Sequence, residues 1–385
     1  MISKQVKRLS GSPIVQIFSL AVQREREGHP VIHLEIGQPD FPPFKPILDA
    51  TIKAVQEKKT AYTPSRGIPE LRQVVSQAYQ EDHGLDTDPN TEVIITTGAK
   101  QGVLGSFFAV LDDGDQIIIP EPYWVAYPDI ARLAGAEFIP LPMKPDFTLN
   151  QEAILSSMNS KIKAIVINTP NNPSGHILSR DEIKFLKDLV NDHNIFIISD
   201  EIYSDYGYID DPVRTLLTEF EDWRQNIIVI NGFAKTFAMT GYRLGWTVSQ
   251  ADIASGILKV IEATTTCPNS LSQWGGIAAL ENRTDARKFI NQTFPERRRI
   301  ILEEIQKTDG FSLESIDGAF YGFIKYTFTD KPSQEVAKEI LLNTNVCVVP
   351  GTAFGDSAEG YLRITFCRSI EEIKEAFQRI REYIG

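Results

Sequence analysis

Short apolar runs alternate with helix-period segments through the middle of the chain. The runs that predict buried strands are Val93–Thr96, Gln116–Ile119, Ile162–Ile167, Ile195–Ile198, Ile227–Ile230 and Leu244–Val248. Between many of them, apolar residues recur every three or four positions, as in the predicted helix Ser179–Asn191. Because strands that are apolar on both faces need helices above and below them, this alternation predicts an α/β fold with a mostly parallel sheet covered by helices.

The two ends of the chain follow a different pattern. Ser12-Pro13 predict the start of a helix near the amino end, since serine caps helices and proline suits their first position. Beyond the central region the pattern predicts a long charged helix over 284–308, strands near 319–328, 345–349 and 361–366, and a final helix from 370. A chain of 385 residues is also long for one core. We therefore expect a large domain over 46–283 and a small α+β domain built from 12–45 and 284–385.

Composition narrows the classes of function. A net charge of −12 argues against nucleic acid or an anionic membrane as the main partner. No apolar run reaches transmembrane length, and the first ten residues lack the pattern of a signal peptide. The three cysteines show no metal-binding spacing. We expect a cytoplasmic protein without a metal site.

Candidate functional residues follow four of the predicted strands at the point where each strand ends. Lys235 follows Ile227–Ile230, Asp200 closes the run before it, Asn172 follows Ile162–Ile167, and Gly98-Ala99-Lys100 follow Val93–Thr96. In open parallel sheets, ligands bind beyond the carboxyl ends of the strands. The sequence therefore predicts one site where these ends meet.

Lys235 and Arg243 indicate which chemistry that site performs. The lysine can form a Schiff base with a carbonyl group, and the arginine, eight residues later, can bind a phosphate with both arms of its guanidinium group. Small residues around both leave room for a bulky ligand. Pyridoxal 5'-phosphate requires this combination of a carbonyl partner and a phosphate-binding group.

Five motifs carry a resemblance to a known family. They are Tyr62-Thr-Pro-Ser-Arg-Gly67, Asn168-Thr-Pro-Asn-Asn-Pro-Ser-Gly175, Ser199-Asp-Glu-Ile-Tyr203, the segment from Lys235 to Arg243, and Tyr361-Leu-Arg363. With these motifs the chain resembles the fold-type I, class I aminotransferases, and most of all the bacterial-type aspartate aminotransferases, from about Ser12 to its carboxyl end. The resemblance implies pyridoxal phosphate as the cofactor and a homodimer with shared active sites.

The resemblance implies roles around the cofactor ring. Lys235 is similar to the Schiff-base lysine that also moves a proton during the reaction. Asp200 resembles the carboxylate that pairs with the ring nitrogen, and Tyr203 and Asn172 resemble the residues that hydrogen-bond the ring oxygen. Trp124, rather than Tyr123, resembles the aromatic residue that stacks on the ring.

The phosphate end departs in part from the family pattern. Arg243 and the backbone of Ala99 and Lys100, at a predicted helix start, resemble its phosphate-binding groups. Many relatives carry serines three and one positions before the lysine, where this chain has Gly232 and Ala234. The form Asn-Gly-x-Ala-Lys, however, occurs in some bacterial-type aspartate enzymes.

Three further residues complete the implied site. Tyr62 resembles a residue that reaches the phosphate of the partner subunit. Arg363, a charged residue in an apolar strand, resembles the group that binds the substrate α-carboxylate. Gly37 resembles the residue whose lack of a side chain lets the backbone approach the same carboxylate.

The substrate is less closely defined. The segment Thr264–Trp274, which in animal-type aspartate enzymes provides a basic residue, has none here. We hypothesise that Lys100 binds the distal carboxylate instead, with aspartate or glutamate and a 2-oxo acid as substrates of a ping-pong transamination. The alternatives are an aromatic, prephenate or kynurenine-type aminotransferase, or a carbon–sulfur lyase on the same fold.

Overall fold

The computed structural model describes residues 2–11, 13–210 and 213–385, apart from the side chain of Gln5. The helices are α1 Lys4–Lys7, α2 Pro13–Arg26, α3 Lys45–Gln56, α4 Pro69–His83, α5 Ala99–Val110, α6 Tyr127–Leu133, α7 Gln151–Ser157, α8 Arg180–His193, α9 Leu216–Glu219, α10 Trp223–Asn226, α11 Ala251–Thr264, α12 Ser270–Glu281, α13 Arg283–Gln306, α14 Ser333–Thr344 and α15 Ile370–Ile384. The strands are β1 Ile32–His33, β2 Val93–Thr96, β3 Gln116–Glu121, β4 Glu137–Pro142, β5 Ile162–Asn168, β6 Phe196–Asp200, β7 Ile227–Gly232, β8 Gly245–Val248, β9 Phe311–Ser312, β10 Tyr321–Tyr326, β11 Val346–Cys347, β12 Val349–Pro350 and β13 Tyr361–Thr365.

The large sheet of the described chain has seven strands in the order β2–β8–β7–β6–β5–β3–β4. The five strands from β7 to β4 are parallel, whereas β8 runs antiparallel between β7 and β2. Since β2 and β7 both run opposite to β8, β2 has the same direction as the parallel strands. The carboxyl ends of β2, β5, β6 and β7 therefore lie at one edge, and the start of β8 lies there too.

Both faces of this sheet are buried because apolar residues occupy both sets of alternating strand positions. Ile95 and Val229 pack on one face with residues of α4, α8 and α12. Ile94 and Ile228 pack on the other face with residues of α5, α6 and α11. The predicted fold class, a mostly parallel sheet between layers of helices, is confirmed.

The structure contains the predicted strands of the large sheet and one strand that was not predicted. Each predicted strand of the large sheet is present, with its bounds changed by at most two residues. The edge strand β4 was missed, because its residues are exposed or half-buried and include Pro140 and Pro142. Helix α2 begins at Pro13 as expected, and Ser12, its predicted cap, lies outside the described residues. Helix α8 begins at the predicted place with a capping box, in which Ser179 and Glu182 each bond the other's backbone.

A smaller sheet, in the order β12–β13–β10–β9, lies in the carboxyl-terminal part of the chain. Strand β1, near the amino end, pairs in parallel with β11. Ile32 and Leu34 also pack in the same core as residues of α13, α14 and α15. We propose that residues 12–45 and 284–385 form the small domain and 46–283 the large one, which these contacts support. Helix α13, predicted over 284–308, connects the two and contains Pro295.

Candidate active site

A cavity of about 250 Å³ lies at the edge of the large sheet where the carboxyl ends of β2, β5, β6 and β7 meet. It is lined by Ala99, Lys100, Trp124, Asn168, Asn172, Asp200, Ile202, Tyr203, Ala234, Lys235 and Arg243. The structure thus brings together eight of the predicted site residues. Of the other three, Gly37 and Arg363 contact residues of this lining, and Tyr62 does not line the cavity of its own chain.

Lys235 enters the cavity from the segment that follows β7. Its Nζ donates a hydrogen bond to the carbonyl oxygen of Gly37 at 2.6 Å. Its own carbonyl oxygen accepts a hydrogen bond from the Tyr206 hydroxyl at 3.0 Å, which fixes the backbone. Burial lowers the pKa of the Lys235 amine to about 8. An amine with this pKa is uncharged in a useful fraction of molecules near neutral pH, which nucleophilic chemistry requires.

Asp200 closes β6 and is almost fully buried. Its Oδ2 accepts a hydrogen bond from the Tyr127 hydroxyl at 2.8 Å, and its Oδ1 accepts one from the Ile202 amide at 3.3 Å. Burial raises the pKa of Asp200 to about 6, although these hydrogen bonds oppose the shift. The carboxylate therefore lacks a cationic partner strong enough to offset its loss of solvation.

Arg363 lies on β13 and is 3% exposed. Its Nη1 donates to Asn172 Oδ1 at 3.0 Å, its Nη2 donates to the Glu35 carbonyl oxygen, and its buried Nε has no partner. Among the described residues no carboxylate forms an ion pair with it, and burial lowers the pKa of its guanidinium group. A buried guanidinium with unsatisfied hydrogen-bonding capacity is suited to binding an anion.

Glycines allow Arg243 to reach the first turn of α5. Arg243 has a positive φ of 51° and directly precedes the β8 region. A Cβ atom on Gly98 would lie 2.8 Å from its Nη2, and one on Gly245 would lie 2.7 Å from the Ala99 amide nitrogen. Because the first amides of a helix have no partner within it, the guanidinium and this helix end together are suited to binding a second anion.

Lys100 and Trp124 lie on the rim of the cavity. The Nζ of Lys100 is 5.1 Å from the centre of the Trp124 ring. Burial lowers the pKa of Lys100, and the positive charge of Arg243 lowers it further. Tyr62, by contrast, is 89% exposed.

Three residues of the site were not assigned a role from the sequence. Tyr127 donates to Asp200, Asn168 accepts from the Asn172 amide at 2.7 Å, and the Tyr321 hydroxyl lies 2.9 Å from that of Tyr203. Asn168 opens one of the quoted motifs, so its position was a usable signal. Tyr127 and Tyr321 lie among other aromatic residues in apolar segments, and nothing in the sequence distinguishes which of these rings contact the lining residues.

A larger cavity, of about 580 Å³, lies behind the Lys235 segment. Its Arg283 and Arg287 are paired with Asp82, and Arg287 is also paired with Asp205. Because its arginines are already neutralised, size does not make it the better candidate. The smaller cavity is the better candidate, because Lys235 and Asp200 in its lining, and Arg363 beside it, form no ion pair among the described residues.

The described residues lack two features that would indicate other functions. They contain no group of three or more His, Cys, Asp or Glu side chains that could hold a metal ion. None of their helices is both long and apolar enough to cross a membrane.

Comparison with known proteins identifies relatives over the whole length. Residues 29–380 match the family model of the class I and II aminotransferases. The chain is 35% identical to the (5-formylfuran-3-yl)methyl phosphate transaminase of Methanocaldococcus jannaschii, covering all of both chains. Among solved structures, aspartate aminotransferase from Thermus thermophilus with maleate has a TM-score of 0.93 at 31% identity, with 99% of each chain covered. A protein of Methanococcus jannaschii, whose structure is described as similar to kynurenine aminotransferases in its active site, has a TM-score of 0.91 at 35% identity, with 100% of each chain covered.

Proposed function

The chain belongs to the class I and II aminotransferases, as its motifs predicted, and we propose that it transfers an amino group between aspartate or glutamate and a 2-oxo acid in a ping-pong reaction. The family implies pyridoxal phosphate as the cofactor. One observation carries the proposal. An amine of lowered pKa, Lys235, lies in a cavity that has a buried carboxyl group, Asp200, and an anion-binding helix end with Arg243.

The residues of the cavity fit this cofactor. Arg243 and the first amides of α5, whose close approach Gly98 and Gly245 allow, would hold its phosphate. Asp200 would face its ring nitrogen, where a positive charge would offset the cost of burying the carboxylate. Trp124 would cover its ring, and Tyr203 and Asn172 would donate to its ring oxygen. The bound cofactor supplies an electron sink for the carbon from which a proton is removed.

Lys235 would move the proton that is removed from the substrate Cα. An amine whose pKa is lowered to about 8 by burial can take a proton from the substrate Cα and release it again near neutral pH. The Gly37 carbonyl oxygen and the Tyr206 hydroxyl hold its two ends in position. Asp200, in turn, would keep a proton on the ring nitrogen, which favours removal of the one at Cα.

Arg363 would bind the substrate α-carboxylate. It is buried without a carboxylate partner, and its Nε is free to donate. The Asn172 side chain and the Glu35 carbonyl oxygen hold the guanidinium plane in a fixed orientation. A planar pair of donors of this kind matches a carboxylate.

Lys100 would bind the distal carboxylate of aspartate or glutamate. It is a partly desolvated cation at the rim of the cavity, 5.1 Å from the Trp124 ring. We expect Lys100→Ala to reduce kcat/KM for aspartate by about tenfold to a hundredfold, the range of one charge-assisted hydrogen bond, and to leave phenylalanine almost unaffected. Equal losses for the two amino acids would remove Lys100 from substrate selection.

An aromatic or kynurenine-type substrate is the second candidate. The Trp124 ring at the rim offers an apolar surface for such a side chain. The similarity to the Methanococcus jannaschii structure also favours it. In this case kcat/KM for phenylalanine or kynurenine would exceed that for aspartate in the unmodified protein.

The active unit is proposed to be a homodimer. Tyr62 is 89% exposed and does not line the cavity of its own chain, as expected for a residue that reaches the partner's phosphate. Sedimentation of the protein, together with the cofactor affinity of Tyr62→Ala, tests this. A monomer with full activity would exclude it.

The visible absorbance spectrum of the purified protein tests the proposed function as a whole. With pyridoxal phosphate the protein should acquire a visible band, which glutamate should abolish as the cofactor accepts the amino group. Lys235→Ala should lose turnover, whereas Lys259→Ala, an exposed lysine on α11, should behave as the unmodified protein. A lyase would instead release its product without this spectral conversion by glutamate.

A further inference from the structure

We propose that Tyr321 is a positioning residue that orients the hydroxyl group of Tyr203 and links it to the guanidinium group of Arg363. This inference rests on the proposed function, because it concerns how the protein sets the hydrogen bond from Tyr203 to the cofactor. Tyr321 connects a strand of the small sheet with the loop that follows β6 of the large sheet.

The first contact is the hydrogen bond between the two phenols. Tyr321 is 1% exposed and Tyr203 is 4% exposed, and their hydroxyl oxygens lie 2.9 Å apart. The rings meet edge to face, with 5.6 Å between their centres and 81° between their planes. Tyr203 is also one of the residues that line the cavity.

Gly37 provides the space for the Tyr321 hydroxyl. A Cβ atom on Gly37 would overlap this oxygen and lie 2.9 Å from the ring carbon that bears it. The carbonyl oxygen of the same glycine accepts the hydrogen bond from Lys235. The absence of a side chain at Gly37 thus makes room for the Tyr321 hydroxyl, in addition to allowing the backbone contact with Lys235.

The Tyr321 ring also contacts Arg363. The guanidinium carbon lies 4.5 Å from the ring centre, within the range of a cation–π contact. The contact follows from the sheet register, because Tyr321 pairs with Thr365 and Phe323 pairs with Arg363 on the adjacent strands β10 and β13. Tyr321 therefore contacts both Tyr203, which would bind the cofactor's ring oxygen, and Arg363, which would bind the substrate carboxylate.

The direction of the hydrogen bond follows from counting protons. A phenol has one hydrogen to donate, and burial raises the pKa of both tyrosines, that of Tyr321 to about 12, so both stay protonated. If Tyr203 donates its hydrogen to the cofactor oxygen, Tyr321 must donate to Tyr203. A donor that itself accepts a hydrogen bond becomes a stronger donor, so Tyr321 strengthens the hydrogen bond that Tyr203 makes.

Other titratable groups that face this pair also influence the cofactor. They are the Lys235 amine, the Asp200 carboxyl, the Arg363 guanidinium and the Cys367 thiol. Replacing Tyr321 by phenylalanine changes none of them and keeps the ring over Arg363. The substitution therefore isolates the hydroxyl group.

The experiment is a pH titration of the visible band of the loaded protein. A weaker hydrogen bond from Tyr203 to the ring oxygen should raise the midpoint of this titration, so we expect Tyr321→Phe to raise it by about half a pH unit. Tyr326→Phe is the matched control, because Tyr326 is a buried tyrosine on the same strand whose hydroxyl donates to the Lys331 carbonyl oxygen and contacts Glu359. It should leave the midpoint unchanged.

The double variant Tyr203→Phe/Tyr321→Phe tests the route of the effect. If Tyr321 acts through Tyr203, the double variant has the same midpoint as Tyr203→Phe alone. An unchanged midpoint in Tyr321→Phe, or a further shift in the double variant equal to that in the single one, would overturn the inference while leaving the proposed function intact. Absence of any visible band in the unmodified protein would instead overturn the proposed function, and this inference with it.

Discussion

Two cavities lie on opposite sides of the Lys235 segment, and they differ in whether their cationic side chains are paired with carboxylates. The larger one, which we call the paired cavity, contains Arg283 and Arg287, both bonded to Asp82. The smaller one, which we call the reactive cavity, contains Lys235 and Asp200 and adjoins Arg363. In the reactive cavity the charges are buried without ion-pair partners among the described residues, and their pKa values are shifted accordingly.

From this difference we expect the paired arginines to serve stability and the unpaired Lys235 and Arg363 to serve chemistry. Ion pairs in the paired cavity offset the cost of removing charges from water, so each partner stabilises the fold. In the reactive cavity this cost is left for ligands to offset, which means that binding energy is available there. Substituting residues of the same type, one in each cavity, should therefore have opposite effects on stability and activity.

The largest effect is expected when the buried Arg363 is compared with the partly buried Arg283. Arg363→Leu should lower kcat/KM for aspartate by about a thousandfold, because the loss of a buried charge partner costs about 2–5 kcal/mol. Its stability should be unchanged or higher, since a desolvated guanidinium is removed. Kinetics with aspartate and chemical unfolding of the cofactor-free protein measure the two quantities.

Arg283→Leu provides the matched control in the paired cavity. Its Nε and Nη2 bond Asp82 and Glu81, so the free energy of unfolding should fall by about 1–2 kcal/mol. Turnover should stay within about twofold of the unmodified enzyme. If Arg363→Leu were instead the destabilised variant, and Arg283→Leu the inactive one, the distinction between the cavities would be wrong.

The second effect concerns how stability depends on pH. Burial raises the pKa of Asp200 to about 6 from an ordinary value of 3.8, so the folded protein binds more protons than the unfolded chain between these values. Asp200 therefore removes stability as the pH rises through this window, by up to about 3 kcal/mol. In the cofactor-free protein, Asp200→Asn should become more stable than the unmodified protein as the pH rises from about 4 to above 6.

Asp82→Asn should give the opposite sign. Burial raises the pKa of Asp82, but hydrogen bonds and ion pairs with Arg283 and Arg287 hold it below its ordinary value overall. Asp82 therefore contributes stability above its ordinary pKa, and this stability is lost as the pH falls through the lowered pKa. Denaturant unfolding measures the two dependences, for Asp200→Asn between about pH 4 and 6 and for Asp82→Asn as the pH falls below the ordinary value of 3.8. Slopes of the same sign, each taken relative to the unmodified protein, would refute the comparison.

These pairs also show what could be predicted from the sequence. Asp200 ends a buried strand, and Lys235 and Asn172 lie a few residues beyond the ends of two others. Because parallel strands bring their carboxyl ends to one edge, the large-sheet side of the site was predictable. The contact of Arg363 with Tyr321 depends on the register of two strands of the small sheet. Register is set by packing over the whole lobe rather than by local residue pattern, and for this reason Tyr321 was missed.

The ion pairs of the paired cavity could not be predicted from the sequence for the same reason. Asp82 lies in the last turn of helix α4 and Arg287 lies in α13, about two hundred residues later. In the sequence both resemble ordinary exposed charges on helices. Only the packing of α4 against α12, which leads directly into α13, brings them together.

The smallest effect is expected where the two cavities meet, at Thr236. Its Oγ1 donates to Asp205 Oδ2 at 2.7 Å, and Asp205 is held by Arg287 on the far side. Thr236→Val keeps the shape of the side chain but removes this hydrogen bond, so the free energy of unfolding should fall by about 1 kcal/mol. Because Thr236 follows Lys235 directly, kcat should fall by a few-fold as the lysine backbone becomes less well fixed.

Thr247→Val is the control for this change. Thr247 is fully buried on β8, and its Oγ1 has no hydrogen-bond partner, so replacing the hydroxyl by a methyl group should leave stability unchanged or raise it. Chemical unfolding and kcat with aspartate should therefore separate two buried threonines of the same size. If Thr236→Val and Thr247→Val proved equally stable and equally active, the paired cavity would have no influence on the lysine, and the two regions would be independent neighbours.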